Sequence, residues 1–357
     1  MSKDKAEKFC QTFAAKCQLA SAEESAPEVQ HSARCSMEKV AFKVKDSSKR
    51  LTKAPPSSYK TEISTLKNAI DISTTPHITK KLEHDPTTDF DKTTCKALDK
   101  AYQVGLIDNE LKSALKPKNP NPGRFYTLPK IHKQYENIPP GRPIVGANGT
   151  VTERVSLFID HHLKPHVSTL DSYVQDDMDF LRKIEAINED GPHPPDIILS
   201  TLDVSSLYTN IPTKEGINSC RSFLEPDFPP EQLDSFCKLI EVVLTHNNFT
   251  FNGTHYNQIF WTSMGTKLAP SMACLFMGLL KKRLLASASL KPLLWIRYID
   301  DIFLIWTHGQ DELQRFIEHC NSFHRTIKFT SESSTDKIPF LDVLVSFKDG
   351  KLHTDLY

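Results

Sequence analysis

The spacing of apolar and polar residues along the chain predicts helices and strands in alternation. "DIILSTLDV" (196–204) reads as a buried strand, "KEGINSCRSFL" (214–224) as a helix, and "EQLDSFCKLIEVVLTHN" (231–247) as a better one. "NFTFNGTHYNQIF" (248–260) predicts a hairpin turning at Asn252-Gly253, the strongest short turn signal available. A helix is expected from about Pro270 to Leu285, then strands Leu293–Tyr298 and Ile302–Trp306, a helix over 311–323 and a strand over 326–332. In the last stretch Leu341, Val343, Val345 and Phe347 alternate, "KDG" (348–350) turns, and Leu352, Thr354 and Leu356 begin a return strand. Upstream, one helix is expected over Thr93–Leu115, stopped by "KPKNPNPG". The interleaving predicts an α+β fold, a sheet with helices on one face.

The first 95 residues differ. They are rich in Ser, Thr, Lys and Ala, carry "APPSS" at 54–58, and offer helical pieces only around Lys5–Leu19 and Tyr59–Ile72. Residues 1–95 are therefore expected to be a variable, partly disordered N-terminal region, and 96–357 the globular part.

Composition changes this picture little. The 357 residues are 25% charged and 39% hydrophobic, with 44 basic and 44 acidic side chains, so net charge points to no partner. Its distribution says more. From Leu111 to Arg142 seven basic residues face one acid; from Asp171 to Ser200 eight acids face two bases. A basic block of this kind is either a solvated surface or the footprint of a polyphosphate ligand. The eight cysteines form no C-x-x-C pair, which suggests free thiols in a reducing compartment. Cys10, Cys17, His31 and Cys35 could bind zinc only with an unusually wide first spacing. The longest apolar run, Leu268–Leu280, contains Pro270 and is shorter than the ~20 residues that cross a bilayer. The N-terminus is polar, without a secretory signal. A soluble intracellular protein with no membrane partner is expected, nuclear or cytoplasmic alike; no protein partner is indicated.

One stretch resists a purely structural reading. "WIRYIDDIFLIW" (295–306) is apolar or aromatic at nine of twelve positions, yet Asp300 and Asp301 sit side by side within it. Adjacent carboxylates in an apolar setting raise each other's pKa and need compensation. Two short strands joined at Ile299-Asp300-Asp301 would push both carboxylates out at a hairpin tip, where hard divalent cations compensate them. A two-metal site needs a further carboxylate on a neighbouring strand, and Asp203, near the end of "IILSTLDV", is the candidate, with the Val204 carbonyl beside it. The plainer alternative has Asp203 capping a helix and the aspartate pair in an ordinary turn.

These residues carry a resemblance. "FYTLPKIHK", "RPIVG", "LDVSSLYTNIP", "MGT-x-LAPS-x-A" and "RYIDDIF" occur in that order over about Arg124–Tyr357, and resemble reverse transcriptases of the Penelope-like retroelements, relatives of telomerase. The resemblance implies a right-hand polymerase, with fingers over 96–196 and a ferredoxin-like palm over 197–357, the chain ending before a thumb. It implies an RNA-directed DNA polymerase that uses two Mg²⁺ ions (Mn²⁺ being possible), an RNA template, a DNA primer and dNTPs. Asp203 and Asp300 would bridge the ions, with Asp301 in support. Tyr208 would lie under the nucleotide sugar and exclude a 2′-hydroxyl, unless it only packs in the core. Lys130 and Arg142 would reach the triphosphate. Gly265 would let backbone approach base or sugar, while Lys133, Pro270 and Tyr298 would contact template or primer. The small residues Ala269, Ser271 and Ala273 would bring their helix near the template. Trp261 and Lys267 depart from the family pattern. The alternative is a catalytically inactive, nucleic-acid-binding remnant of such an element.

Overall fold

The computed structural model describes residues 79–129, 141–189, 191–258 and 265–357. The chain divides into two compact units, Met1–Thr79 with Tyr126–Pro143, and Lys80–Phe125 with Ile144–Tyr357. Of the first unit only short strand segments fall among the described residues. The expectations for 1–78, including Cys10, Cys17, His31 and Cys35, lie outside them, as do Lys130, Lys133 and Trp261.

In the second unit the expected single helix over Thr93–Leu115 is two: α1 (Thr87–Gln103) and α2 (Asn109–Leu115). Gly105 breaks it by taking φ +70°, a left-handed conformation open to glycine. Gly105 N–H donates to the Tyr102 carbonyl and Leu106 N–H to that of Ala101, closing a Schellman cap. The Asp108 carboxylate then accepts from Leu111 N–H at 2.7 Å and starts α2.

Strands β1 (Thr79–Leu82), β2 (Gly123–Pro129) and β3 (Gly141–Gly146) belong to a five-stranded sheet with β5 (Asn248–Phe251) and β6 (Thr254–Gln258), in the order β1-β6-β5-β2-β3. β5 and β6 form the predicted hairpin, with Asn252 and Gly253 both at positive φ. Two helices follow β3: α3 (Glu153–Ser168) and α4 (Asp177–Glu189).

The four-stranded sheet that follows is built from β4 (Ile198–Val204), β7 (Leu294–Tyr298), β8 (Asp301–Trp306) and β9 (Phe329–Ser334). Between β4 and β7 come α5 (Thr213–Leu224), α6 (Pro230–Thr245) and α7 (Leu268–Ser287); α8 (Gln310–Phe323) joins β8 to β9. All neighbours are antiparallel, in the order β7-β8-β4-β9. Leaving aside the β5–β6 excursion, this is the βαββαβ pattern of a ferredoxin-like sheet.

Alternation along these strands sends side chains to two cores. Ile198, Leu202, Val204, Trp295, Ile302, Leu304 and Trp306 face α7 and α8, meeting Ala273, Phe276, Leu280, Phe316 and Cys320. α7 is apolar nearly all round because it also packs against α3 and α5. Ile197, Leu199, Ile296, Phe303 and Ile305 face the other way, toward Phe180 and Ile184 of α4. They also meet a small third sheet, in the order β10 (Lys337–Phe340), β11 (Val343–Lys348), β12 (Lys351–Leu356). Helices cover one face as expected; the other is covered as well, at one end. The last strand, expected to be barely begun, is complete: β12 pairs with β11 from Lys348↔Lys351 to Val343↔Leu356. Leu341 does not extend β11 but turns from β10 at φ +55°.

Candidate active site

Asp203 lies one residue from the end of β4, opposite the first residue of β8, which is Asp301. Directly paired residues point to the same face, with Cα atoms about 4.5–5.5 Å apart. Their shared face is the one opposite Leu202 and Ile302, away from α7 and α8. The hairpin between β7 and β8 is tighter than "IDD" suggested: Tyr298 pairs with Asp301, so the turn is Ile299-Asp300 alone. Asp300 sits in the turn and Asp301 on the strand. Both are half-buried, whereas Asp203 is exposed.

Main chain fastens the two acidic segments together. Val204 N–H donates to the Asp300 carbonyl at 3.2 Å. The Asp301 carboxyl is pushed up to about 6, first by burial and then by the carboxylates of Asp300 and Asp203. Neither Asp203 nor Asp301 has a basic partner among the described residues. Among those residues no three His, Cys, Asp or Glu side chains close into a ligand cluster. The carboxylates are thus near enough to repel and are not clasped together.

A groove of about 450 Å³ opens on this face. Asp203, Asp301 and Thr201 form its floor, with Ser331 and Glu332 of β9, Phe340 of β10, and Tyr357 around them. Its size falls in the range of small-ligand sites, ~300–1,000 Å³. Nothing in the spacing of Glu332 or Tyr357 marked them beforehand.

The other expected site residues divide. Tyr208 lies in a short 3₁₀ turn after β4, partly exposed and packed on the core under α7 and α8. Tyr298 flanks Asp301, and burial raises its phenol's pKa. Pro270 is exposed in the first turn of α7. Arg142 lies in β3. Gly265 meets protein on its open side: a Cβ there would come 1.9 Å from the Val145 carbonyl oxygen. Its missing side chain admits the backbone of β3. Ala269, Ser271 and Ala273 are buried, and Ser271 Oγ donates to Asp160 of α3 at 2.5 Å, so this small face is used in helix packing.

Residues 142–341 match the family model described as reverse transcriptase (RNA-dependent DNA polymerase). The chain belongs to that family. No curated protein matches it. Among solved structures it is similar to telomerase from Candida albicans with a TWJ fragment of telomeric RNA, at TM-score 0.50 and 10% identity over 66% of this chain and 46% of that one. Telomerase from Candida tropicalis, truncated from its C-terminal domain, gives 0.49 and 12% over 66% and 56%. A BmCPV RNA-dependent RNA polymerase at elongation state gives 0.47 and 12% over 80% and 26%. The chain thus spans about half the length of the telomerases it matches. The fold is that of a palm-and-fingers polymerase. Among the described residues no helix is long and apolar enough to cross a membrane.

Proposed function

We propose that this chain is the polymerising part of a retroelement reverse transcriptase of the Penelope-like kind, extending a DNA primer on an RNA template with dNTPs. The observation that carries the reading is the pairing of Asp203 with Asp301 beside the Asp300 turn, inside the segment that matches the family.

The donor set fits divalent cations. Carboxylate oxygens are hard ligands, Asp203 and Asp301 lack a basic partner among the described residues, and burial, with the neighbouring carboxylates, already raises the Asp301 carboxyl. Asp203, Asp300, Asp301 and the Val204 carbonyl would hold such ions. When bound, they supply charge stabilisation for the attacking 3′-hydroxyl and the departing pyrophosphate.

The chain's own groups do the rest. The turn bond from Val204 to Asp300 keeps the two acidic segments in one register. Tyr208 closes the space beneath the sugar, with Tyr298 and Pro270 lying along the template and primer. An A-like RNA–DNA duplex is gripped mainly through its shape and backbone.

Single-nucleotide incorporation on an RNA template with an annealed DNA primer, in Mg²⁺ or Mn²⁺, tests the proposal. Incorporation of dNMP supports it. Duplex binding without any incorporation would instead favour the inactive remnant.

A further inference from the structure

Arg297 is the most deeply buried charge near the carboxylates, with 1% of its surface exposed. It occupies the position in "RYIDD" that alternation turns inward, on the same face of β7 as buried Trp295. A guanidinium in such a place is normally matched by a carboxylate. Here the acceptors are neutral. Nη1 donates to the Ile299 carbonyl at 2.6 Å and lies 3.7 Å from Cys274 Sγ, and Nη2 donates to the Cys274 carbonyl at 2.9 Å. Nε has no acceptor among the described residues.

A charge buried so deeply for two carbonyls must secure something that packing alone does not. Ile299 takes φ +49°, a left-handed conformation that a β-branched side chain strongly disfavours. Its carbonyl is the one Arg297 holds, and the next residue is Asp300. The other arm of the guanidinium grips α7 from within. A two-residue hairpin requires positive φ at its first residue, so the tight turn imposes this strain on Ile299. Without the clamp it would relax by opening into a longer loop and carry Asp300 with it.

We propose that Arg297 is a positioning residue. It clamps the strained Ile299-Asp300 turn to α7 and so fixes Asp300 against the Asp203–Asp301 pair. The inference rests on the polymerase reading for its consequence in catalysis, and on geometry alone for the clamp.

Glycine adopts positive φ without penalty, so Ile299→Gly should keep the turn in place when the clamp is weakened. The test is a cycle in the full chain: Arg297→Lys and Arg297→Gln, each with and without Ile299→Gly. Nucleotide incorporation and thermal unfolding are both measured. Arg297→Lys should lower kcat by about a hundredfold, the scale of a 1 Å misplacement, while KM for dNTP stays within about twofold. Adding Ile299→Gly should recover part of that kcat, which replacing an ordinary core residue would not allow. In unfolding, Ile299→Gly loses the packing of Ile299 on the core in every background. Its net effect should therefore be less favourable in the Arg297 variants than in wild type, because their turn has already released its strain.

Additive unfolding shifts with no recovery of kcat would overturn the clamp, as would failure of both Arg297 variants to fold, which would make Arg297 a requirement of the core. If wild type incorporates nothing, the polymerase reading fails by itself. Non-additive unfolding then still supports the clamp, and additive unfolding still overturns it.

Discussion

The backbone N–H of Val204 donates to the carbonyl of Asp300 at 3.2 Å, joining the end of β4 to the β7–β8 turn through main chain. The acidic side chains are therefore not needed to hold each other in place. A carboxylate can be neutralised in this arrangement without loosening the sheet, because the register of β4 with β8 is carried by the buried Leu202 and Ile302 pair and its neighbours.

Gly265→Ala should destabilise the protein severely. The new methyl would meet the Val145 carbonyl oxygen at 1.9 Å and its carbon at 2.8 Å, and backbone cannot swing aside as a side chain can. A loss of about 3 kcal/mol or more is expected, the upper range of overpacking. Gly278→Ala is the control: its clash is with the Leu170 side chain, 2.7 Å from the new atom, which can change rotamer. Urea unfolding of both should show much the larger loss at Gly265.

Tyr208→Ala separates two roles. If the ring lies beneath the sugar, the variant should accept ribonucleotides, and discrimination between dGTP and rGTP should fall by about tenfold or more. Some loss of melting temperature is expected in either case, since the ring packs on the core beneath α7 and α8. Unchanged discrimination with lowered stability would leave Tyr208 a packing residue.

Acid should unfold the protein partly through His162. The ring packs among Phe158, Phe228 and Phe236, and burial, with His161 beside it, lowers its pKa to about 4. Between about 4 and 6.5 the unfolded chain binds a proton that the folded chain refuses. Its contribution is therefore intact above pH 6.5 and is lost as pH falls toward 4. His162→Leu should remove this part of the slope when urea midpoints are compared at pH 5 and 7.5. Asp301, shifted in the opposite sense, is common to both proteins and cancels in the difference.

The strands around the aspartates were legible in the sequence because long apolar runs with central charges leave few alternatives. Leu293–Tyr298 and Ile302–Trp306 were expected, and Leu294–Tyr298 and Asp301–Trp306 are found. The turn between them was not legible, since Ile299 has none of the Asn or Gly chemistry that announces positive φ. That one-residue difference decides which aspartate faces Asp203. Arg297 was hidden for a related reason: charged residues are ordinarily read as surface, although period-two alternation from Trp295 turns it inward. Gly265 was expected to let backbone approach a base or sugar, whereas a Cβ there would meet Val145, which is 120 residues away in sequence and beyond local reading. The extent of the C-terminal sheet was underestimated because β12 is almost wholly exposed, with Leu352 alone buried, so little beyond its start marks it in the sequence.

The most direct measurement is primer extension on poly(rA)/oligo(dT) in Mg²⁺ or Mn²⁺ with wild type, Asp203→Asn and Asp300→Asn, with melting temperatures taken in parallel. Loss of a metal-holding carboxylate removes several kcal/mol of charge stabilisation, and each ~1.36 kcal/mol is about tenfold in rate. Wild type should give product, and neither variant should, while both melt at or above the wild-type temperature. Product at wild-type levels from either variant would contradict the account.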